Sequence, residues 1–140
     1  MYGGDDGDDF DHNNNRSIEE LTIYADGHVV NQIHAKYFGN LVFTSGTKDG
    51  NEATLKLAKG EYITTVKIRH NKYVQWMVFE TNKGQSVGGG GKGWKLPGMD
   101  KEGEEVTVKA PSGCHLCGFK GRAGKHINAV AFRWGPIPGS

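Results

Sequence analysis

The segment GRAGKHINAVAF, Gly121 to Phe132, places a cationic pair and an amide directly after a glycine-rich turn. Lys125 and His126 supply nitrogen donors, and Asn128 supplies a donor and an acceptor from one amide group. Glycine has no Cβ, so the backbone N–H groups of such a turn can approach a ligand closely. The turn is suited to holding a polar ligand, although the same residues also suit a plain β-hairpin.

The same arrangement occurs three times in the chain. The units LTIYADGHVVNQI, VKIRHNKYVQWMVF and FKGRAGKHINAVAF each carry a turn, an apolar residue, an amide and an apolar strand, and the amides are Asn31, Gln75 and Asn128. Each unit has a glycine-rich partner stretch elsewhere: GGDDG at Gly3–Gly7, SGTKDG at Ser45–Gly50 and GGGGKG at Gly88–Gly93. Three hairpins with three glycine loops predict pseudo-threefold symmetry.

Alternation of apolar and polar residues, with many β-branched and aromatic side chains, predicts an all-β protein. Gly, Asn and Asp interrupt the alternating runs, as in a sandwich, barrel or prism built of hairpins. A capping-box-like start at Ser17 runs directly into a strand pattern instead of a helix. The predicted strands are LTIY, VVNQIHAKY, LVFT, TLKL, YITTVKIR, VQWMVFET, VTVK and INAVAFRW.

Length and charge limit the classes of function. A chain of 140 residues fits one domain, residues 1–140. With 17 Lys and Arg against 16 Asp and Glu, no net field favours nucleic acid or an anionic membrane. No apolar run approaches the roughly 20 residues of a membrane span, so we expect no membrane insertion. The start lacks signal-peptide features and predicts a cytoplasmic protein as written; a secreted chain whose signal has been removed would look the same.

Two other clusters contain residues that can bind metals. Cys114 and Cys117 form a CxxC motif, but no second cysteine pair is present, and we interpret them as packing thiols without metal or redox chemistry. If their strand is straight, they point to opposite faces, which disfavours a disulfide. The run Asp5–Asp11 is rich in carboxylates but lacks a calcium-loop pattern, and we interpret it as a solvated acidic segment. No metal or cofactor is therefore expected.

Four segments in order resemble the jacalin-related lectins over essentially the whole chain. GGDDGDDFD resembles the opening GGxGG loop of that family, GEYITTVKIR its GEYI strand and FETNKG its central hairpin. GRAGKHINAVAF resembles the GRxGxxxDAIG segment of the main sugar-binding loop. The resemblance implies a β-prism of three four-stranded Greek-key sheets with pseudo-threefold symmetry, and metal-free binding of mannose, glucose or galactose.

The resemblance also implies site residues. The main site would combine Gly7 with Lys125, His126 and Asn128. A second site, as in the mannose-binding banana-type members, would combine the residues His28, Val29, Asn31 and Gly50. The remaining unit would place Lys72, Tyr73 and Gln75 opposite the loop Gly91–Gly93.

The three amides depart from the family pattern, which has an aspartate at each of these positions. A carboxylate accepts hydrogen bonds from two adjacent sugar hydroxyls, whereas an amide has one acceptor oxygen. Losing the charged acceptor forgoes about 1.5–3 kcal/mol, roughly ten- to hundredfold in affinity. The NH₂ donor instead suits an anionic or acetylated sugar.

These observations favour a non-catalytic lectin whose partners are glycans or glycoproteins. Several sites, or a homodimer, would strengthen binding through avidity. The alternative is a protein-interaction or assembly module that keeps the fold but has lost sugar recognition with the three aspartates. No spacing of nucleophile, base and orienting residue supports an enzyme.

Overall fold

The described part of the chain forms twelve β-strands and no helix. The computed structural model describes residues 1–4, 7–12, 16–26, 29–70, 73–89 and 104–138. In chain order, the strands are β1 Tyr2–Gly3, β2 Asp8–His12, β3 Ile18–Ala25, β4 Val30–Tyr37, β5 Leu41–Gly46, β6 Asn51–Lys56, β7 Ile63–His70, β8 Val74–Thr81, β9 Ser86–Gly89, β10 Glu104–Lys109, β11 Cys114–Ala123 and β12 Ile127–Pro136.

The strands form three antiparallel sheets of four strands each. The orders are β5-β4-β3-β6, β10-β7-β8-β9 and β1-β12-β11-β2. Each sheet has a hairpin at its centre and two outer strands, which is a Greek-key arrangement. Strands β1 and β2, at the start of the chain, are the outer strands of the sheet whose central hairpin, β11 and β12, lies at the end of the chain. The predicted β-prism of three Greek-key sheets is confirmed.

The pseudo-threefold symmetry extends to the irregularities of the hairpins. Each central hairpin has a register shift one step before its loop, at Tyr24/Ala25, Arg69/His70 and Arg122/Ala123. Each central hairpin has a second register shift at the end away from its loop. Because a bulge bends the strand and increases its twist, three equivalent pairs of bulges give the three sheets the same curvature around the axis.

The core lies between the three sheets. Phe79 of β8 and Phe119 of β11 are both fully buried, and their ring centroids lie 6.2 Å apart in an edge-on arrangement. Phe132 of β12 packs against both rings, and Phe43 of β5 stacks on Phe119 at 6.0 Å. At least one ring from each sheet thus reaches a common centre. Full burial of a large apolar side chain there stabilises the fold by about 1.5–3 kcal/mol.

Glu61 of the GEYI motif has a structural role at the end of the prism opposite the hairpin loops. Its carboxylate is 1% exposed and accepts hydrogen bonds from Thr81 Oγ1 at 2.6 Å, from the Ala58 N–H at 2.9 Å and from Gln85 Nε2 at 3.1 Å. The hydrogen bond from the Thr81 hydroxyl, followed by that from the Ala58 N–H, lowers the pKa of Glu61 below its usual value, although burial by itself would raise it. The bonds join the segment before β7 to the β8–β9 turn.

Candidate functional site

The three hairpin loops meet at one end of the prism. They connect β3 to β4, β7 to β8 and β11 to β12. The Thr47 hydroxyl, which follows β5, donates a hydrogen bond to the Gly124 carbonyl at 3.3 Å. The rings of Tyr73 and His126 meet edge to face, with centroids 4.9 Å apart and planes at 88°. The loop of the third unit is therefore contacted by segments from both other units.

The three amides occupy equivalent positions and are all buried. Each amide directly follows the first residue of the second hairpin strand, namely Val30, Val74 or Ile127. Asn31 is 2% exposed, Asn128 5% and Gln75 8%. Buried amides need hydrogen-bond partners within the protein or from a bound molecule. The partners of each amide therefore distinguish the three units.

The third unit brings together the residues predicted for the main site. Gly7 lies against Asn128, such that a Cβ on Gly7 would stand 2.9 Å from Asn128 Oδ1. The φ of Gly7 is +95°, a conformation that other residues rarely adopt. The Gly4 N–H donates to the Asn128 carbonyl at 2.8 Å, which fixes the glycine loop onto β12. Glycine is thus required here both by conformation and by space.

The hairpin loop of the third unit forms one wall of this site. The Gly124 N–H donates to the His126 carbonyl at 3.0 Å and closes the loop. Lys125 is exposed, and His126 is half-buried beneath the ring of Tyr73. Gly7, the loop 124–126 and the Asn128 amide therefore surround one small polar surface.

The first unit repeats this frame. The Thr47 N–H donates to the Asn31 carbonyl at 2.9 Å, as Gly4 does to Asn128. Gly50, with φ +93°, packs against the Ala25 carbonyl. Asn31 Nδ2 donates to the Asp49 carbonyl at 3.0 Å and to Asp26 Oδ2 at 3.3 Å.

Asp26 is a residue of this site that the sequence comparison of the three units missed. Its Oδ1 accepts a hydrogen bond from the Val29 N–H at 3.0 Å, and its own N–H donates to the Val29 carbonyl at 3.1 Å. The signal in the sequence is the Asp-Gly pair of ADGHV, since an aspartate before a turn commonly binds backbone N–H groups further along. His28, predicted for this site, lies outside the described residues.

The second unit is the least completely described. Tyr73 is 36% exposed, and its ring contacts the ring of His126 in the third unit. Gln75 Oε1 is buried and has no hydrogen-bond partner among the described residues. Lys72 and the loop Gly91–Gly93 lie outside the described residues. The predicted grouping of Lys72, Tyr73 and Gln75 stays a prediction.

The acidic segment forms part of a sheet. Asp9 and Asp11 lie on β2, where Arg122 Nε stands 3.3 Å from Asp9 Oδ1. Arg133 binds Asp11 with two nitrogens, at 2.8 and 2.6 Å, and these hydrogen bonds lower the Asp11 pKa. Part of the segment interpreted as solvated is thus ion-paired. No group of three or more possible metal-binding side chains is found within the described ranges.

The strand that contains the CxxC motif is not straight, so the condition for Cys114 and Cys117 to point to opposite faces is not met. The register of β11 shifts between Leu116 and Gly118, so Cys117 is a bulge residue and simple alternation does not apply. Both cysteines are free thiols. Cys117 Sγ lies 3.4 Å from His115 Nε2; burial raises the pKa of Cys117 and lowers that of His115.

A cavity of about 580 Å³ lies at the other end of the prism, away from the hairpin loops. Arg16, Phe38, Leu57 and Tyr62 are among its lining residues. Arg16 donates to the carbonyls of Phe38 and Gly39.

In the described part of the chain, no helical segment has the length and hydropathy of a membrane span.

The three Greek-key sheets, with glycine loops and hairpin loops gathered at one end, define a β-prism protein. A family model for the jacalin-like lectin domain matches residues 1–133. The chain therefore belongs to the jacalin-like lectin family, whose fold serves carbohydrate binding. None of the curated proteins compared with this sequence matches it.

Solved lectin structures share the fold at low sequence identity. Wild-type Malaysian banana lectin superposes with a TM-score of 0.78 at 22% identity, covering 97% of this chain and 95% of that chain. A prostate-specific WGA16 glycoprotein lectin gives 0.76 at 22% identity, covering 98% and 97%. AcmJRL, a mannose-binding jacalin-related lectin from Ananas comosus, gives 0.74 at 18% identity, covering 97% and 94%. At these identities the likeness supports the fold alone.

Proposed function

We propose that the chain is a metal-independent lectin that binds mannose- or glucose-type sugars, or modified sugars, at the third-unit site. The observation that carries the proposal is the close approach of Gly7 to Asn128, where a Cβ on Gly7 would stand 2.9 Å from Oδ1. It brings the glycine loop to a buried amide beside the hairpin loop 124–126. The glycine loop exposes backbone donors to a sugar ring, and the amide oxygen accepts from one hydroxyl.

Three further features support a sugar ligand. Lys125 is exposed beside the amide and provides a donor for a hydroxyl or an anionic substituent. Tyr73 adds a partly exposed aromatic ring at the edge of the same surface. AcmJRL is described as mannose-binding, and artocarpin has been solved with mannotriose. A neutral amide in place of a carboxylate predicts weak single-site affinity, which a homodimer or clustered glycans would raise through avidity.

The first experiment is a glycan-array screen of the purified protein with and without EDTA, followed by titration of each hit. We expect binding that survives EDTA. Binding that EDTA abolishes would contradict metal independence. No binding to any glycan would contradict the proposed function and favour a protein-interaction or assembly module.

Variants then locate the site. Asn128→Ala and Lys125→Ala are each expected to weaken glycan binding at least several-fold, while Cys114→Ser, on the same hairpin but at the other end of the prism, leaves it unchanged. Asn128→Asp restores the charged acceptor and is expected to raise the affinity for mannose about tenfold or more. Equal binding by all these variants would exclude the third-unit site.

A further inference from the structure

The first and third units close their hairpin loops with equivalent backbone hydrogen bonds, Asp26 N–H to Val29 and Gly124 N–H to His126. The first loop has four residues, 26–29, and the third has three, 124–126, and the two differ in the residue that begins the loop. Ala25 and Ala123 are the equivalent last residues of β3 and β11. The next residue is Asp26 in the first unit and Gly124 in the third. The first loop therefore begins with a carboxylate and the third with no side chain.

The Asp26 carboxylate accepts from the two donors that the first-unit site would offer to a ligand. Oδ1 accepts from the Val29 N–H at 3.0 Å, and Oδ2 accepts from Asn31 Nδ2 at 3.3 Å. The second hydrogen of the Asn31 NH₂ is directed to the Asp49 carbonyl at 3.0 Å. An amide NH₂ has two hydrogens, so both are in use. Asn31, only 2% exposed, is held within the protein.

In the part of the chain that the structure describes, the third unit has no such internal partner. Gly124 donates through its backbone to the His126 carbonyl. No carboxylate of the described ranges forms a hydrogen bond with Lys125, His126 or Asn128, whereas Asp26 binds the Val29 N–H and the Asn31 side-chain amide of the first unit.

We propose that Asp26 is the specificity-determining residue that closes the first-unit site to neutral sugars, because its carboxylate takes the place of a sugar hydroxyl on Val29 N and Asn31 Nδ2. This inference rests on the proposed function of the third-unit site. A neutral hydroxyl has to displace two charge-assisted hydrogen bonds, which are stronger than those it forms in return. The first unit is thus a closed copy of the site, and removal of one side chain opens it.

The test is a residue-resolved titration of the ¹⁵N-labelled protein by NMR, with the methyl α-glycosides of mannose, glucose, galactose and N-acetylglucosamine as probes. The amide signals of Val29 and Gly50 report the first unit, and those of His126 and Asn128 report the third. The wild-type chain is compared with Asp26→Ala. Asp49→Ala is the matched control, because it removes a neighbouring carboxylate but keeps the backbone carbonyl that Asn31 uses.

In the wild type and in Asp49→Ala, we expect a sugar to shift only the third-unit signals. In Asp26→Ala, the first-unit signals are expected to shift as well, with an affinity within about tenfold of the third site. Asp26→Gly, which gives the first loop the residue found at Gly124, serves as a second variant and is expected to behave like Asp26→Ala. Retained dispersion of the remaining signals shows that each variant is folded.

Three results would overturn the inference while leaving the proposed function intact. One is a shift of the Val29 and Gly50 signals in the wild type, which would show that the first site is already open. Another is third-unit binding with an unresponsive first unit in both Asp26 variants. The third is equal opening of the site by Asp49→Ala, which would show that negative charge and not the Asp26 hydrogen bonds is the cause. No shift in any protein with any sugar would reject the proposed function itself.

Discussion

Replacing Glu61 with alanine is expected to destabilise the fold by about 3–5 kcal/mol, because the change removes the acceptor of three hydrogen bonds. The Thr81 O–H is buried with Glu61 and loses its acceptor, although its oxygen still accepts from the Lys83 and Gln85 N–H groups. Gln85 Nε2 and the Ala58 N–H can turn to water. The Thr81 bond contributes about 1.5–3 kcal/mol and the other two, whose donors regain water, about 1 kcal/mol each, which gives about 3.5–5 kcal/mol in all.

For a domain of 140 residues, a loss of about 3 kcal/mol lowers the melting temperature by roughly 10 °C. Urea denaturation followed by tryptophan fluorescence, with a parallel thermal melt, measures both quantities. Glu61→Gln keeps one acceptor oxygen and is expected to lose about half as much. Glu105→Ala, which removes an exposed carboxylate 3.6 Å from Arg69, is the control and is expected to change stability by less than about 1 kcal/mol. A loss below about 1 kcal/mol for Glu61→Ala would refute the structural role of this network.

Three other changes test separate features of the molecule. Gly7→Ala is expected to weaken glycan binding at least tenfold, while Gly84→Ala, which shares a positive φ but has open space at its Cβ, leaves binding unchanged in the same titration. Burial lowers the pKa of His115 and of His12, so the unfolded chain takes up protons at a higher pH than the fold does. Stability should therefore be nearly constant between about pH 6.5 and about pH 8 and fall below about pH 6.5 by up to about 1.4 kcal/mol per pH unit for each histidine, which urea titrations at several pH values measure; a flat profile on the acid side would contradict this. Burial raises the pKa of Cys117, so iodoacetamide should label half-buried Cys114 first under native conditions, as tandem mass spectrometry of the tryptic peptide that contains both cysteines will show.

The sequence predicted most of the central strands because their side chains alternate strongly. VQWMVFET became β8 with the bounds expected, and INAVAFRW became most of β12. Strand β2 was not predicted, since DDFDH has only one apolar residue and four side chains that usually lie in solvent. It forms because β11 offers an unpaired edge and because Arg122 and Arg133 bind its carboxylates.

The candidate site could be predicted only in outline. The resemblance to the jacalin-related lectins placed Gly7 with Asn128 and Gly50 with the loop of Asn31. Hydrogen-bond partners cannot be predicted from spacing, because they depend on the direction of each side chain in the folded loop. The contact of Tyr73 with His126 links two different units and has no counterpart in a comparison of the units one by one.

The sequence by itself determined the all-β class and the threefold repetition, since strand alternation and turn glycines are local properties that survive in any unit taken separately. The resemblance of four segments to the jacalin-related lectins indicated the family. Tertiary structure alone decided which hydrogen-bond partners each amide has. Asp26 and Asn31 are five residues apart, yet their hydrogen bond depends on Asn31 being the bulge residue of β4, between Val30 opposite Ala25 and Gln32 opposite Tyr24. The Asp49 carbonyl that Asn31 also binds comes from the segment after β5. Three units with similar sequences therefore differ in chemistry because each is completed by a different part of the chain.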